Sequence, residues 1–426
     1  MTFVREPPMT KWGAMKPSRR RWMQSAGGAL ASTAFGSPDS RSHLSETLAR
    51  AMNTPVLRTD VLREPLKIDS LELLRSGRFF LVRARAAGLE GFSEAHSVVM
   101  RSAYPIFLQR VAQHFVGTDA RLLEKTFHEA YLANSNYKWQ GLPFWVSMAA
   151  AEIAVLDLLG RASGKPLGEL FGQVRRRKIP VYRASGNRGN SPEAEVDYLR
   201  KITEETGARA IKFRLGARMR YDDASTRRDL RLIPLTRKTF GPSMAIYADA
   251  NGSYDVPMAL RMGRLMEEHG FGFFEEPVPF DYYDETKIIA DALEIPVALG
   301  EQEMSLRTFR RIIETGTAQV IQPDLLYGGG LMRAVKVARM AHAAGLPCTP
   351  HISGGGLGFL YVAHFASCVE NPGPHQEYKG EDDTLPVECS TSSLRSEQGM
   401  LTVPSGPGLG VTLDPALWKR AEQVTG

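Results

Sequence analysis

Apolar and polar positions change rhythm twice along this chain. Residues 37–60 are polar, sustain no period and read as a linker. From about Leu62 apolar and polar residues alternate. The runs Leu66–Leu73 and Arg78–Ala86 have the period of two expected of antiparallel strands. Gly88-Leu-Glu-Gly91 makes a turn before a third short run, Phe92–Ala95. Helical spacing follows over Tyr104–Val116 and Leu122–Leu132. It is strongest over Ser147–Arg161, where Met148, Ile153, Val155, Leu156 and Leu159 dominate. These elements predict an α+β domain over residues 61–175.

After Lys178 the rhythm becomes strand, helix, strand. Apolar runs at Ile179–Arg183, Ala210–Arg214, Ala245–Asp249, Gly272–Glu275, Val297–Glu301, Ala318–Gln322 and Cys348–His351 are separated by stretches of helical spacing, such as Pro257–Glu268, Ser305–Glu314 and Leu331–Ala344. Such alternation predicts an α/β domain with a parallel sheet and right-handed crossovers. Seven or eight units predict a closed barrel over residues 176–380. The polar residues cluster at the carboxyl ends of the strands, the face on which such barrels carry their chemistry. Residues 381–426, rich in Ser, Gly and Pro, form a C-terminal segment expected to pack back on the first domain.

Charge narrows the function class. Residues 1–63 hold ten Lys or Arg and four Asp or Glu, a net of +6; the whole chain is also +6, so the remainder sums to zero. Nucleic-acid binding loses its electrostatic support, and Arg175-Arg-Arg-Lys178 reads as a solvated domain junction. Ser18-Arg-Arg-Arg-Trp-Met-Gln24, followed by a small-residue stretch to Phe35, resembles a twin-arginine export signal over residues 1–36. The alternative is a disordered basic tail on a cytoplasmic protein. Elsewhere no run approaches the roughly 20 apolar residues of a membrane span, so no stable membrane insertion is expected. Cys348, Cys368 and Cys389 lack the spacing of a disulfide framework or a zinc site.

Three acids end three successive apolar runs: Asp249, Glu275 and Glu301. Their spacings are equal, 275 − 249 = 26 and 301 − 275 = 26. The interval fits one strand, one helix and two loops, since a barrel of about 250 residues allots roughly 31 to each of eight units. Carboxylates converging from adjacent strand ends repel, and a divalent cation relieves this. An all-oxygen site suits Mg²⁺. Lys212 and Arg214 share one face of the second strand by alternation. Asp324 and His351 end the sixth and seventh strands, where the acid would orient the imidazole as a general base. Glu377 is a candidate for the end of the eighth. Of the doubled acid Glu275-Glu276, alternation sends only one inward; Glu276 is expected to pair outside the metal shell. Gly328–Gly330 and Gly354–Gly356 read as close backbone turns, and His96 as a loop histidine.

Taken in order, Lys212-x-Arg214, Asp249-Ala-Asn251, Glu275-Glu-Pro277, Gly300-Glu301, Gln322-Pro-Asp324 and Pro350-His351 resemble the enolase superfamily, in its mandelate racemase/muconate lactonizing enzyme-like subgroup. The resemblance implies a modified (β/α)7β TIM-like barrel with an α+β N-terminal capping domain whose loops near residues 80–100 close over the substrate. It implies one Mg²⁺ held by Asp249, Glu275 and Glu301, and a homo-oligomer. The shared chemistry is removal of a proton α to a carboxylate through an ene-diolate. His351, held by Asp324, would take the proton; Lys212 would add positive charge; Glu377, as a carboxylic acid, would hydrogen-bond the developing oxyanion. Arg214 and Asn251 would hold substrate. Arg214 departs from the second lysine common in the family. Arginine stays protonated at working pH, which disfavours a two-base racemase and favours dehydration of a sugar acid to a 2-keto-3-deoxy acid. The competing readings are a racemase or epimerase of a 2-hydroxy acid, and a non-catalytic metal-containing sugar-acid binding protein.

Export is testable directly. A reporter fused behind residues 1–40 should be translocated, and replacing Arg19 and Arg20 with Lys should stop it. Continued translocation of the Lys variant overturns the twin-arginine reading.

Overall fold

The computed structural model describes residues 38–353, 356–379 and 385–425. The expected export signal and the pair Gly354-Gly355 lie outside the described residues.

The first domain is a meander packed on a helix. Strands β1 (Ser70–Ser76), β2 (Phe79–Ala86) and β3 (Leu89–Ala95) pair antiparallel in that order. Ser76 pairs with Phe79, so β1 and β2 turn through Gly77 and Arg78 alone. Gly77 sits at φ +60°, a conformation such a tight turn requires and glycine adopts without strain. The sheet lies on helix Leu142–Ser163, buried without interruption from Phe144 to Gly160. Contact is close because Gly91 has no side chain: a Cβ there would stand 2.2 Å from the backbone nitrogen of Leu158. This helix is long and apolar enough to cross a membrane by length and composition, which the sequence reading had not anticipated; 89% of its apolar window is buried inside the protein. It is a core helix.

Two expectations need correction. Residues 38–53, read as linker, form a helix that packs on helices Leu306–Thr315 and Leu331–Ala343 of the second domain. Its polar face hid a stripe of Leu44, Leu48 and Met52, four residues apart, all buried. The helix expected over Tyr104–Val116 is the end of Ser97–Ile106 followed by a wider π turn, Phe107–Val111, and a 3₁₀ turn. Pro105 lacks the N–H that would continue regular bonding there.

The second domain is the barrel. Strands β4 (Lys178–Ala184), β5 (Ala210–Arg214), β6 (Ala245–Asp249), β7 (Phe274–Glu275), β8 (Val297–Leu299) and β9 (Val320–Ile321) pair parallel in sequence order. Single bridges carry the pairing on, from Ile321 to Cys348 and from Cys348 to Pro372. Strand β10 (Gln376–Tyr378) then pairs with β4, which returns the sheet to its start. The C-terminal residues also return: Met400–Thr402 pairs with β4, and Glu422–Gln423 adds a fourth strand beside β1.

Alternation stacks the barrel interior in layers. Ala210, Tyr247 and Phe273 belong to one apolar layer with Tyr182, Ala298 and Val320. Tyr247 and Phe273 stack at 4.1 Å. Two residues further along each strand the inward positions become Lys212, Asp249 and Glu275. The apolar layer therefore floors a charged one.

One carboxylate that joins the two domains is fully buried. Glu152 of the core helix accepts a hydrogen bond from Met332 N at 2.7 Å, at the start of barrel helix Leu331–Ala343. Gly330, at φ +106°, leaves room for it; a Cβ there would lie 1.2 Å from Glu152 Oε2. Burial pushes the Glu152 carboxyl up to about 8. The folded protein thus holds a proton that the unfolded chain has released above its ordinary carboxyl value. Stability from this group is full at low pH and is lost as pH rises towards 8. From pH 5 to 8, wild type should lose about 2–4 kcal/mol more stability than Glu152→Gln. Denaturant titrations at both pH values would measure this; parallel pH profiles would refute it.

Candidate active site

The acids predicted from spacing converge. Asp249, Glu275 and Glu301 are buried, and each offers a carboxylate oxygen within 4.8 Å of the others. Strand register puts them there: Asp249 pairs with Glu275, and Glu301 follows β8 after Gly300, at φ +131°. Glu275 Oε1 and Glu301 Oε2 are buried and accept no hydrogen bond. Buried carboxylate oxygens without donors are unfavourable unless a cation completes them. The donor set is all oxygen and anionic, which fits Mg²⁺.

Cations surround this cluster. Lys212 Nζ lies 2.7 Å from Glu275 Oε2 and 3.4 Å from Glu377 Oε1, and 5.0 Å above the Tyr182 ring. Burial opposes its charge, but the Glu275 and Glu377 carboxylates outweigh burial and hold its pKa above the ordinary lysine value. Arg214 pulls it down, but by less than the two carboxylates raise it. Arg214 itself ion-pairs with Asp249 and donates to Asn251 Oδ1 at 3.2 Å. Asn251 in turn donates to Glu276 Oε2 at 3.3 Å. Glu276 is buried and lies off the metal-type cluster, as alternation predicted. Burial, with Glu301 and Glu275 nearby, raises its pKa well above the carboxylate range. Asn251 and Glu276 both sit at φ +42°, unusual for residues other than glycine. Strained positions of this kind gather at functional sites.

The opposite wall holds the imidazole. His351 Nδ1 lies 2.6 Å from Asp324 Oδ2, which also accepts from Ser353 N at 2.8 Å. A parallel bridge pairs the two residues. With Nδ1 engaged, Nε2 faces Glu301 Oε2 at 3.4 Å and Glu377 Oε2 at 3.7 Å. Burial works against the imidazolium, yet the Glu301 and Glu377 carboxylates and the Asp324 hydrogen bond raise the His351 pKa.

Glu377 does lie on the eighth strand, with Glu377 paired to Tyr182. Its expected protonation is corrected. Burial favours the acid form, but Lys212, Lys379 and His351 hold it well below the carboxylate range. An ionised Glu377 accepts hydrogen bonds and cannot donate one to an oxyanion.

Several site residues were missed. Arg188, in the polar loop after β4, donates to Asn251 Oδ1. Lys379 Nζ donates to Ile352 O at 2.5 Å, beside His351. His96 caps helix Ser97–Ile106 through Nδ1 and lies against Tyr327, ring centroids 5.4 Å apart. A signal existed for the first two, since each follows a barrel strand by a few residues. His96 belongs to a cavity of about 470 Å³ between the domains, walled by Arg78, Glu94, Arg101, Ser353 and Tyr361 among others. The expected closing loop at residues 80–100 is mostly strand. The cavity is lined instead by the β1–β2 turn and by residues just beyond β3. Glu94 in its wall accepts from Leu357 N at 2.6 Å, and burial pushes its pKa up to about 8.

Known proteins resemble this chain in sequence and fold. The family described as "Mandelate racemase / muconate lactonizing enzyme, N-terminal domain" matches residues 51–172, and "Enolase C-terminal domain-like" matches residues 194–417. Arabinonate dehydratase from Saccharolobus solfataricus is 27% identical over 333 residues, which cover 76% of this chain and 85% of that protein. D-galactarolactone cycloisomerase from Agrobacterium fabrum is 26% identical over 316 residues, covering 72% and 82%. A mandelate racemase/muconate lactonizing protein from Paracoccus denitrificans PD1222, solved in complex with magnesium, superposes with a TM-score of 0.76. It is 27% identical and covers 84% of this chain and 99% of that one. With both domains matched, the chain belongs to the mandelate racemase/muconate lactonizing enzyme family of the enolase superfamily.

Proposed function

We propose that this protein is a Mg²⁺-dependent sugar-acid dehydratase, forming a 2-keto-3-deoxy acid. The observation that carries this is the asymmetry of the site. One wall holds a base-capable imidazole ordered by Asp324; the facing cations, Lys212 and Arg214, are both engaged by carboxylates. Similarity to an arabinonate dehydratase supports the same reading.

Asp249, Glu275 and Glu301 would hold the metal. When bound, Mg²⁺ supplies Lewis-acid stabilisation of charge developing on the substrate carboxylate. Lys212 adds a fixed positive charge from β5, just above the aromatic floor. Arg214 and Asn251 orient the substrate from β5 and β6. His351 Nε2 takes the proton on the carbon next to the carboxylate, and Asp324 stabilises the resulting imidazolium. The same imidazolium then protonates the β-hydroxyl, which leaves as water as its C–O bond breaks. The enol tautomerises to the keto acid. Arginine does not deprotonate at working pH, so Arg214 gives the opposite face no base. Glu377, as a carboxylate, keeps Lys212 and His351 in position by charge.

Two measurements test this. His351→Asn should lower 2-keto acid formation by about 10²–10⁴-fold, in a screen of sugar acids with Mg²⁺. Solvent deuterium recovered in inverted substrate, without keto acid, would instead indicate an epimerase. Tight sugar-acid binding without any turnover would indicate a binding protein. Separately, Asp249→Ala should fold yet lose Mg²⁺ affinity by calorimetry; unchanged affinity would refute the metal assignment.

A further inference from the structure

Two arginines bond one amide at the mouth of the barrel, and two more stand near them. Arg188, from the loop after β4, and Arg214, from β5, both donate to Asn251 Oδ1. Arg228, on helix Asp223–Phe240, ties the loops together. Its Nε donates to Asn190 O at 2.8 Å, and its Nη1 donates to Arg214 O at 3.1 Å. Arg218 stands at the exposed edge, in a loop where it and Met219 have φ of +56° and +59°. That strained loop is pinned by Met219 N, which donates to Asn251 O at 3.0 Å.

The carboxylates do not match these cations. Arg228 is paired with Asp229 at 2.8 Å, and Arg214 with Asp249. Among the described residues no ion pair is formed by Arg188 or Arg218. Three guanidinium nitrogens, Arg188 Nε, Arg214 Nε and Arg228 Nη2, are buried without an acceptor. A buried charged donor left unsatisfied is destabilising. Arg188 bears this most directly: burial first, then Arg214, Arg218 and Arg228, press its pKa down to about 10. An anion brought in from outside would satisfy these donors and relieve the repulsion.

The position of the cluster says what that anion belongs to. Asn251 lies two residues from Asp249 and bonds both Arg188 and Arg214, so a group held here is part of the molecule in the active site. The carboxylate next to the reacting carbon would already be served by the Mg²⁺ that the acid cluster would hold and by Lys212. We propose that Arg188, with Arg218 at its outer edge, binds a second carboxylate at the far end of the substrate, which is therefore a sugar diacid. This rests on the sugar-acid reading above. The competing role for Arg188 is to orient Asn251 only, which would affect monoacids and diacids alike.

The test compares paired ligands of one configuration: galactarate against galactonate, and glucarate against gluconate. Binding is measured by calorimetry to the full-length His351→Asn protein with Mg²⁺, so that no turnover intervenes. In at least one pair the diacid should bind at least tenfold more tightly than the monoacid. Adding Arg188→Gln, which can still bond Asn251, should reduce that ratio at least tenfold, and Arg188→Lys should restore part of it. Monoacids binding as tightly as diacids in both pairs would overturn the proposal without touching the dehydratase reading. So would an equal loss for both ligands on Arg188→Gln. Failure of every sugar acid to bind would overturn both. The ratio before any change at Arg188 keeps the test decisive if that variant does not fold.

Discussion

Burying like charges together is the constraint from which the rest of the site follows. Asp249, Glu275 and Glu301 stand at adjacent strand ends with little access to water. Such a cluster persists only if cations are fixed around it. Lys212 and Arg214, both on β5, and His351, from a distant strand end, are those cations or potential cations. The barrel can hold them rigidly because its interior is layered. The aromatic floor of Tyr182, Tyr247 and Phe273 excludes water from below and makes each charge above it felt strongly.

The capping domain completes that exclusion. Its sheet is held against a buried, mostly apolar helix, and the same helix reaches the barrel through Glu152, for which Gly330 leaves room. Trp145 adds a second contact, with the Arg333 guanidinium 4.0 Å from its ring centroid. The β1–β2 turn and the residues after β3 are thereby fixed over the barrel mouth. The lining of the cavity and the packing of the domains thus rest on the same few elements.

Much of this was legible in the sequence. Equal spacing of the three acids, alternation in Lys212-Phe-Arg214, and acid and histidine at consecutive strand ends identify the strand ends and their common face. Each is a local, periodic property, and the barrel preserves it. The linker over residues 38–53 was misread because its apolar positions are sparse, and their worth depends on which barrel helices lie opposite. Glu377 was placed correctly but assigned the wrong proton. Two of the neighbours that hold it down, Lys212 and His351, come from elsewhere in the chain.

By itself the sequence determined which strand-end residues face the barrel mouth, since period-two alternation and strand order do not need distant contacts. Only the tertiary structure decided how their charges pair. It set Arg214 against Asp249, Lys212 between Glu275 and Glu377, and Arg188 beside Asn251 with no carboxylate of its own. Coulomb energies and hydrogen bonds act across a few ångströms of space. The distances that govern them are fixed by barrel closure, which brings strands far apart in the chain to one ring.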